Sequence, residues 1–437
     1  MHQSQTGISR VAQIDNVGQY QVSNLEPGDY EIEVAAPSFD TQVQRVALRV
    51  GDSLTVNFRL KPGSVGERVV VNGQTSDLNT TDFTVSSSVS RIQIQNLPLN
   101  GRNFLEFARL EPGVSVISVV NPGTFANNYQ HVSIAGAQYL LTQVTVDGVA
   151  VQDRINGGTA QNFSQETVQE FQVERFSFDP SSAMSGAGAI NIVTRRGNNE
   201  LHGAAFFYYR DHNMAAYPGL HRDVNHPDPY FARKQSGFRL GGPLKKDRVF
   251  WFTNFEHNRQ TAAVAIQNNH PVFSKLDVVY PSPLTFSQFN LRVDGKLNET
   301  NTAFLRLSQD KNNTIAPPAA GLFMPSDWQS SRNSALQIEG GDVSVLSSRM
   351  VNDMRYAFSY LHSHVEPVSS QQCLDPAACI GVGGAQIQVF DAPQFQIGNR
   401  PAAPFGIVPR TNQFVDTVTW LRGAHQLHLG GDWEHVY

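Results

Sequence analysis

The sequence has no apolar run close to the ~20 residues that a membrane-spanning helix needs. Charged residues are also scarce: they make up 16% of the 437 residues, well below the roughly 25% of ordinary soluble domains. Aromatic residues are plentiful at 10%, with 27 Phe and 12 Tyr. These three features together favour a β-barrel, in which lipid-facing residues alternate with lumen-facing ones. A large secreted β-protein has a similar composition.

Basic clusters are also lacking, and cysteines are few. The net charge is −5, and a nucleic-acid-binding face needs clustered Lys and Arg, so no nucleic acid is expected as a partner. The two cysteines, Cys373 and Cys379, are close in sequence, and a turn through Asp375 and Pro376 would bring them together. A disulfide is expected in an oxidising compartment, with two free thiols as the alternative. No second Cys or His pair stands near enough for a zinc site.

From about residue 203 to the end, short turns alternate with long connections. The short turns are 245–248, 298–301, 347–350 and 423–424, and the long connections are 211–235, 260–285, 311–333 and 364–412. A soluble β-domain has no reason to keep its long loops on one side, whereas outer-membrane barrels have short periplasmic turns and long external loops. The pattern therefore predicts a transmembrane sheet with the short turns at one end and Cys373 and Cys379 at the other.

The segments between these connections alternate with a period of two residues. Nine strands are predicted, over residues 201–210, 236–244, 249–259, 286–297, 302–310, 334–346, 351–363, 413–422 and 425–436. Most are near the roughly 9–11 residues that a tilted strand needs to cross a membrane. Within 249–259, Trp251 and Phe255 alternate with Phe252 and Glu256. We expect the Trp251 face to meet lipid and the Glu256 face to line the lumen.

The first 60 residues contain short β-prone segments separated by turns. Strands are predicted over residues 9–15, 19–24, 29–36, 41–50 and 53–60. The stretch from Asp15 to Phe39 resembles the second half of a carboxypeptidase regulatory-like β-sandwich. The resemblance is carried by Gly18, Tyr20, Leu25, Pro27, Gly28, Tyr30 and Phe39, with Ser38 where that family usually has Gly. No metal-ligand spacing and no nucleophile–base pair is present, so no enzyme is expected here.

Three strings in the middle of the chain carry the most specific signal. Residues 97–114 hold an Asn-Gly turn followed by Phe104, Leu105, Ala108 and Leu110 at helical spacing. Residues 144–151 read as a hairpin with an Asp-Gly turn, and 182–210 run from a Gly-rich stretch into the first barrel strand. Together they resemble the plug domain of TonB-dependent outer-membrane receptors. The plug signature residues are Asn100, Gly101, Arg102, Asn103, Asp147, Gly148, Asn191, Thr194 and Gly197.

Arg195 and Arg196 stand where this branch of the family usually has Thr-Lys-Ser-Gly. The departure is mild, because it keeps a cation and Gly197. The resemblance covers essentially the whole chain and implies a mainly β fold. Three domains are expected: a partial β-sandwich over 1–62, a mixed α/β plug over 67–197, and antiparallel strands of an outer-membrane barrel over 198–437.

By this resemblance, the protein binds a large solute outside the cell and admits it when the periplasmic protein TonB moves the plug. The expected partners are TonB, outer-membrane lipid, and an unidentified solute such as a siderophore or glycan. The N-terminal domain and short turns are expected in the periplasm, and the long loops outside. No cofactor and no catalytic residue is predicted. A surface adhesion or export-linked protein is one alternative. A secreted carbohydrate-active protein is another, but no pair of catalytic carboxylates stands out.

A short segment ahead of the plug is the candidate for coupling to TonB. It consists of Glu67, Arg68, Val69, Val70 and Val71, and an unpaired β-prone strand can be captured by addition to a sheet edge. The alternative is that these residues form the first plug strand.

Charged residues in the plug have two possible roles. They can hold the plug in a polar lumen through ion pairs and water-bridged contacts, or lie on solvated surfaces. They are Arg102, Glu170, Glu174, Arg175, Arg195 and Arg196. Loop residues that could bind a metal or iron chelate are interpreted instead as solvated polar residues, and no metal site is predicted. They are His221, Asp223, His226 and Asp228, with His362 and His364 at a strand end.

Two features suggest that the chain is part of a longer protein. Residues 1–10 have neither the basic start nor the apolar core of a signal peptide. Nine strands also fall short of the roughly 22 strands of outer-membrane transporters of this type. An open sheet would leave unpaired backbone groups in hydrocarbon, so the last predicted strand is expected to present an unpaired edge.

Overall fold

The computed structural model describes most of the chain. The described residues are 1–12, 14, 18–20, 22, 25–52, 54–63, 68–71, 85–97, 99–118, 130–154, 157–175, 186–214, 228, 230–266, 278–317, 323–373, 379–390, 395–401, 403–422 and 425–437. Among these residues, no helix is both long enough and apolar enough to cross a membrane.

The N-terminal domain contains a four-stranded sheet. In sheet order, its strands are β1 (His2–Gln3), β2 (Gly28–Val34), β3 (Thr41–Leu48) and β4 (Arg68–Val71). Tyr30, Ile32, Val46 and Val56 form its small core. The strands predicted over 29–36 and 41–50 are present as β2 and β3. The strands predicted over 9–15, 19–24 and 53–60 were wrong for the described residues, which have no strand there. β-branched residues such as Val56 can also pack into a core from a segment that is not paired in a sheet.

The central unit, called the plug below, is built on a five-stranded sheet. Its order is β5 (Val85–Val89), β10 (Val168–Arg175), β11 (Gly188–Thr194), β8 (Thr142–Val146) and β9 (Val149–Ala150). The β11–β8 pair is parallel. A separate hairpin joins β6 (Val114–Ser118) to β7 (Gln130–Ile134). The helix α1 (Arg91–Asn96) and 3-10 turns at Asn100–Arg102, Tyr139–Leu141 and Gln165–Thr167 complete the unit.

The apolar stripe predicted at helical spacing forms a 3-10 helix, Phe104–Leu110. Phe104, Leu105 and Ala108 are fully buried in the plug core, whereas Leu110 is exposed. The core also takes Ile94 from α1 and one face of the sheet, where Val89, Phe171, Ile192 and Val146 lie in one cross-strand row. The plug is therefore a globular α/β unit with its own hydrophobic core.

The remaining residues form a large antiparallel sheet, called the wall below. Its strands, in order, are β12 (His202–Asp211), β13 (Phe231–Lys245), β14 (Val249–Ile266), β15 (Val278–Lys296), β16 (Asn301–Ala316), β17 (Gln329–Ser347), β18 (Met350–Pro367), β22 (Arg410–Arg422) and β23 (His425–Val436), while β21 (Phe405–Ile407) pairs with the end of β18. All nine predicted strands are present. Several reach 18 or 19 residues, longer than predicted, because residues 260–266, 278–285 and 329–333, which lack a clear two-residue alternation, also pair with neighbouring strands.

Antiparallel pairing of consecutive strands fixes the two ends of the wall. The strand ends that border the four short connections lie at one end, and the strand ends that border residues 212–230, 267–277, 317–328 and 368–409 lie at the other. This confirms the predicted topology, including the position of Cys373 and Cys379 among the long connections. In the described residues β12 and β23 do not pair with each other, so the wall is an open sheet.

Described parts of two long connections, residues 323–328 and 368–397, pack together. Trp328, Met324 and Phe395 are buried in a cluster with Tyr280. The short strands β19 (Ile387–Val389) and β20 (Phe395–Ile397) form a hairpin there, and a 3-10 turn runs over Pro325–Asp327. These residues are called the cap below.

The two faces of the wall differ in burial. Phe252 and Glu256 are 2% and 1% exposed because they face the plug, whereas Trp251 and Phe255 are only half-buried on the opposite face. The predicted inward position of Phe252 and Glu256 is therefore confirmed, and contact of the Trp251 face with lipid stays a prediction. The inward face is mostly polar, with buried Asn254, Asn258, Asn290, Asn312, Asn333 and Gln337. The plug lies against this polar inner surface.

Candidate functional site at the plug–wall interface

The Asp-Gly turn between β8 and β9 points from the plug into the wall. Asp147 has φ +51° and Gly148 has φ +91°, the left-handed pair that a tight hairpin turn of this kind requires. The Asp147 carboxylate accepts hydrogen bonds from Thr194 N at 2.8 Å and Thr194 Oγ1 at 2.7 Å. The end of β11 therefore fixes the direction in which this carboxylate points.

Three wall strands bind this single turn through arginines. Arg292 Nη1 and Arg306 Nε each lie 2.9 Å from an Asp147 carboxylate oxygen, and Arg355 Nη1 donates to the Asp147 carbonyl oxygen. The Arg306 and Asp147 side chains are 0% and 4% exposed. A Cβ on Gly148 would lie 1.6 Å from Arg355 Nη1, so only glycine lets this arginine approach.

Charge is nearly balanced around the Asp147 turn. Each wall arginine also contacts a wall carboxylate: Arg292 pairs with Asp294, Arg306 with Glu339, and Arg355 with Asp353. Burial raises the pKa of Asp147, but Arg292, Arg306 and the Thr194 hydrogen bonds outweigh burial and hold that pKa below its ordinary value. Asp147 is therefore a carboxylate anion in the resting protein.

A second charged cluster is centred on Glu166, in the 3-10 turn Gln165–Thr167. Arg102 Nη2 lies 2.8 Å from Glu166 Oε1, and Arg239 of the wall donates to Oε2. Arg91 and Arg195 approach Oε2 at 3.6 and 3.8 Å. Burial raises the pKa of Glu166, but hydrogen bonds from Arg239 and Arg102 hold it below the ordinary value.

This second cluster carries excess positive charge. Four arginines meet two carboxylates, Glu166 and the wall residue Glu256, whose Oε1 lies 3.3 Å from Arg102 Nε. Burial and the neighbouring Arg91 and Arg239 lower the pKa of Arg195 to about 9. Within the described residues, Arg195 Nη1 has no hydrogen-bond partner. Glu166 is therefore the anion that keeps these arginines together.

The Asn-Gly-Arg-Asn signature positions Arg102 for this cluster. Asn100 begins the 3-10 turn, Gly101 has φ +83°, and Arg102 itself has φ +58°. The Gly101 carbonyl accepts from Gln235 Nε2 of the wall at 3.2 Å, and Asn103 Oδ1 accepts from Leu105 N at 3.0 Å, which starts the next helix. Arg102 also lies 4.5 Å from the centre of the Phe206 ring. The strained turn thus places one guanidinium between two carboxylates and the wall.

Other signature residues act within the plug or at its exit. Asn191 accepts from Thr145 Oγ1 and donates to Gln172 and Glu174, so it ties plug strands together. Gly197 lies where the chain passes into the wall: a Cβ there would come within 2.3 Å of the Trp251 carbonyl oxygen. Close backbone approach therefore requires glycine at this position.

The six plug charges singled out from the sequence divide into two groups. Arg102 and Arg195 join the Glu166 cluster, and Arg196 Nη1 lies 3.4 Å from Glu26 of the N-terminal domain. The other three make contacts within the plug or with the N-terminal domain: Glu174 Oε1 accepts from Asn191 Nδ2, Arg175 Nη1 donates to the Pro112 carbonyl, and Glu170 Oε2 accepts from Val50 N of the N-terminal domain at 2.7 Å. Burial raises the pKa of Glu170.

Sequence reasoning missed most partners of these charges. Glu166, Arg91, Arg292 and Arg306 were not identified, and neither was the pair formed by Arg154 and Glu434 of β23, at 2.5 Å. One usable signal was alternation, because Arg292 and Arg306 occupy inward positions of strands whose outward residues are apolar. Contacts across more than 100 residues of sequence gave no local signal.

The coupling candidate lies at a sheet edge. Arg68, Val69, Val70 and Val71 form β4, which pairs in parallel with residues 41–44 of β3; Glu67 lies outside the described residues. β4 therefore belongs to the N-terminal sheet, and its other side is open in the described part of the chain.

The long-connection residues hold no metal site in the part of the chain that is described. His221, Asp223 and His226 lie outside it, and Asp228 pairs with His212 at 2.6 Å. Cys373 and Cys379 are joined as a disulfide, with their Cα atoms 6.2 Å apart.

Family models match nearly the whole chain. The outer membrane beta barrel domain matches residues 193–276 and 274–437, the TonB-dependent receptor plug domain matches 77–193, and the carboxypeptidase regulatory-like domain matches 1–61. The barrel model alone covers more than half of the chain.

Individual proteins show the same similarity. The TonB-dependent transporter Oar of Myxococcus xanthus is 27% identical over 277 residues, covering 58% of this chain and 25% of Oar. The probable TonB-dependent siderophore receptor PirA of Acinetobacter baumannii is 24% identical over 191 residues, covering 40% of this chain and 23% of PirA. The chain thus spans about a quarter of the length of these relatives.

A solved structure shows the same fold. The outer membrane transporter YddB of Escherichia coli superposes with a TM-score of 0.58 at 11% identity, covering 80% of this chain and 48% of YddB. The resemblance inferred from the sequence is confirmed. The chain belongs to the TonB-dependent outer-membrane receptors, in the branch that carries a carboxypeptidase regulatory-like domain ahead of the plug.

Proposed function

We propose that this chain supplies the plug and part of the wall of a receptor that binds a large solute outside the cell and admits it when TonB moves the plug. The observation that carries the proposal is the ionic character of the plug–wall interface. Asp147 and Glu166 are each bound by arginines of the wall. Moving two buried ions into water regains their hydration, so separating this interface costs less than exposing an apolar one of equal area.

The proposed topology follows from the two ends of the wall. The N-terminal domain contacts the short-turn end, where Asn199 Nδ2 donates to Asp247 Oδ1 and Asn199 N donates to the Gln5 carbonyl. We place this end in the periplasm and the cap with its Cys373–Cys379 disulfide outside, where oxidising conditions keep disulfides. The proposed domains are 1–62, 67–197 and 198–437, with the first strand of the second segment, β4, paired to the N-terminal sheet.

TonB is the proposed partner at β4. The open side of this edge strand presents unpaired backbone groups, which an incoming strand can bind by edge addition. Because β4 pairs with β3 and precedes the plug in sequence, we propose that a pull on residues 67–71 acts on both the N-terminal sheet and the plug. The solute class is proposed as a siderophore, glycan or similar scarce compound; the relative PirA is described as a probable siderophore receptor. We propose no catalytic activity.

A proline in β4 tests this function. Val70→Pro removes a backbone N–H and disrupts strand pairing, whereas Val70→Thr keeps a β-branched residue and serves as the control. The corresponding gene is deleted in the host and the two variants and the wild type are returned to it. Growth is then measured with limiting iron or with a polymeric glycan as the only carbon source, and the amount of protein at the surface is checked.

We expect the deletion strain to grow poorly under one of these conditions, and the wild type and Val70→Thr to restore growth. Val70→Pro should bind the purified periplasmic domain of TonB weakly and fail to restore growth. Full restoration by Val70→Pro would contradict the coupling role. Normal growth of the deletion strain together with loss of surface attachment would favour the adhesion alternative.

A further inference from the structure

The outward face of the wall changes chemistry along its strands. In the half nearer the short turns, many outward residues are apolar or aromatic, among them Phe238, Trp251, Phe255, Leu291, Leu305 and Ile338. Phe238 and Phe255 lie opposite each other on neighbouring strands, with ring centres 6.3 Å apart. This apolar zone is the part of the wall suited to hydrocarbon.

Cations appear just beyond the apolar zone, toward the long connections. Lys234 lies opposite Arg259, and the same cross-strand row continues through Thr285 and Asn313 to Arg332. Lys311 occupies the next row toward the apolar zone, opposite Ser334. Lys234, Arg259, Lys311 and Arg332 are called the cationic band below, and all four are exposed.

The cationic band is not neutralised by the described residues. No carboxylate in the described part of the chain lies within ion-pair distance of Arg259, Lys311 or Arg332. The nearby outward carboxylates already have other partners: Glu366 Oε1 lies 3.0 Å from His364 Nε2, and Asp211 accepts from the Tyr209 hydroxyl at 3.0 Å. The wall therefore presents positive charge to its surroundings at this level.

We propose that the cationic band binds the phosphate groups of lipid headgroups in the outer leaflet of the outer membrane. Long basic side chains at the boundary of an apolar zone extend toward the headgroup layer while their methylenes cover apolar surface. Phosphate oxygens are the charge-complementary ligands at that depth, and arginine binds them in a bidentate manner. The assignment rests on the proposed orientation, with the long connections outside the cell.

Lipopolysaccharide, the phosphorylated lipid of that leaflet, is the probe. The protein is purified in a neutral detergent, and its affinity is measured for lipopolysaccharide and for the same lipid after enzymatic dephosphorylation. The test variant carries Arg259→Gln, Lys311→Gln and Arg332→Gln. The matched control carries Lys245→Gln, Lys246→Gln and Arg349→Gln, three exposed cations at the short-turn end. Both variants lose the same charge.

Each cation near an anionic lipid surface changes affinity roughly fivefold, so the test variant should bind roughly 100-fold more weakly. The control variant and the wild type should agree within about twofold. The wild type should prefer the phosphorylated lipid, and its affinity should fall with added salt. Because this assay needs no transport, loss of uptake with intact lipid binding would count against the proposed function alone.

Three results would overturn the proposal. The first is equal weakening of lipid binding in the test and control variants. The second is equal affinity of the wild type for the phosphorylated and the dephosphorylated lipid. The third is displacement of the lipid by inorganic phosphate at a concentration equal to that of the lipid's phosphate groups. The last result would assign the cations to free anions rather than to a membrane.

Discussion

Replacing Asp147 by Asn should loosen the plug without unfolding it. The substitution keeps the size of the side chain and one oxygen acceptor, but removes the anion that Arg292 and Arg306 share. Removing one partner of a buried ion pair costs about 3–5 kcal/mol. The lower value applies here, since Arg292 keeps Asp294 and Arg306 keeps Glu339. We therefore expect the plug–wall contact to lose about 3 kcal/mol.

Hydrogen exchange of the β8–β9 hairpin measures this loss. When amides exchange through brief opening, the rate follows the opening free energy, so 3 kcal/mol corresponds to roughly 100-fold faster exchange over residues 142–151. Glu31→Gln is the control, because Glu31 pairs with an Arg45 side chain that is 68% exposed, and such surface pairs contribute little. Unchanged exchange in Asp147→Asn, or an equal change in both variants, would refute the reasoning.

The other predictions concern the same interface and the cap. Glu166→Gln leaves four arginines facing one carboxylate, so exchange of the turn Gln165–Thr167 should accelerate at least tenfold at pH 7. The pKa of Glu166 is lowered in the folded protein. The ionised carboxylate therefore stabilises the plug–wall contact above the ordinary glutamate pKa, and this stabilisation is lost as pH falls through the lower pKa of the folded state. Acid should accordingly release the plug in the wild type more than in Glu166→Gln. Burial raises the pKa of Asp327 to about 6, so the cap should lose stability as pH rises from about 4 through 6, and Asp327→Asn should abolish that dependence in thermal unfolding. Gly148→Ala should destabilise the plug by about 1–3 kcal/mol, through positive φ and displacement of Arg355, measured as a lower denaturant midpoint.

The strands of the wall were predictable because each repeats a two-residue pattern over many residues. The inward position of Glu256 followed from that pattern alone. Strand lengths were underestimated because the added ends of β14, β15 and β17, residues 260–266, 278–285 and 329–333, lack the two-residue alternation that marks a membrane-crossing segment. Their pairing beyond the apolar zone depends on neighbouring strands, which the local sequence does not reveal.

The plug–wall site was predictable only in part. The Asp-Gly turn identifies the conformation at Asp147 and Gly148, since few residues adopt positive φ. The partners Arg292, Arg306 and Arg355 lie 145 or more residues further along the chain, and only the docking of the plug brings them to this turn. Glu166 gave no signal either, because a single Glu in a polar stretch is usually solvated.

A charge-reversal cycle tests most directly whether ionic contacts hold the plug to the wall. Arg154 of the plug forms a bidentate pair with Glu434 of β23, with contacts of 3.0 and 2.5 Å. Hydrogen exchange of residues 142–154 is measured in Arg154→Glu, Glu434→Arg and the double variant. We predict faster exchange in each single variant and a return toward the wild-type rate in the double variant, with a coupling free energy of about 1–3 kcal/mol. Additive acceleration in the double variant would contradict the ionic account of the plug.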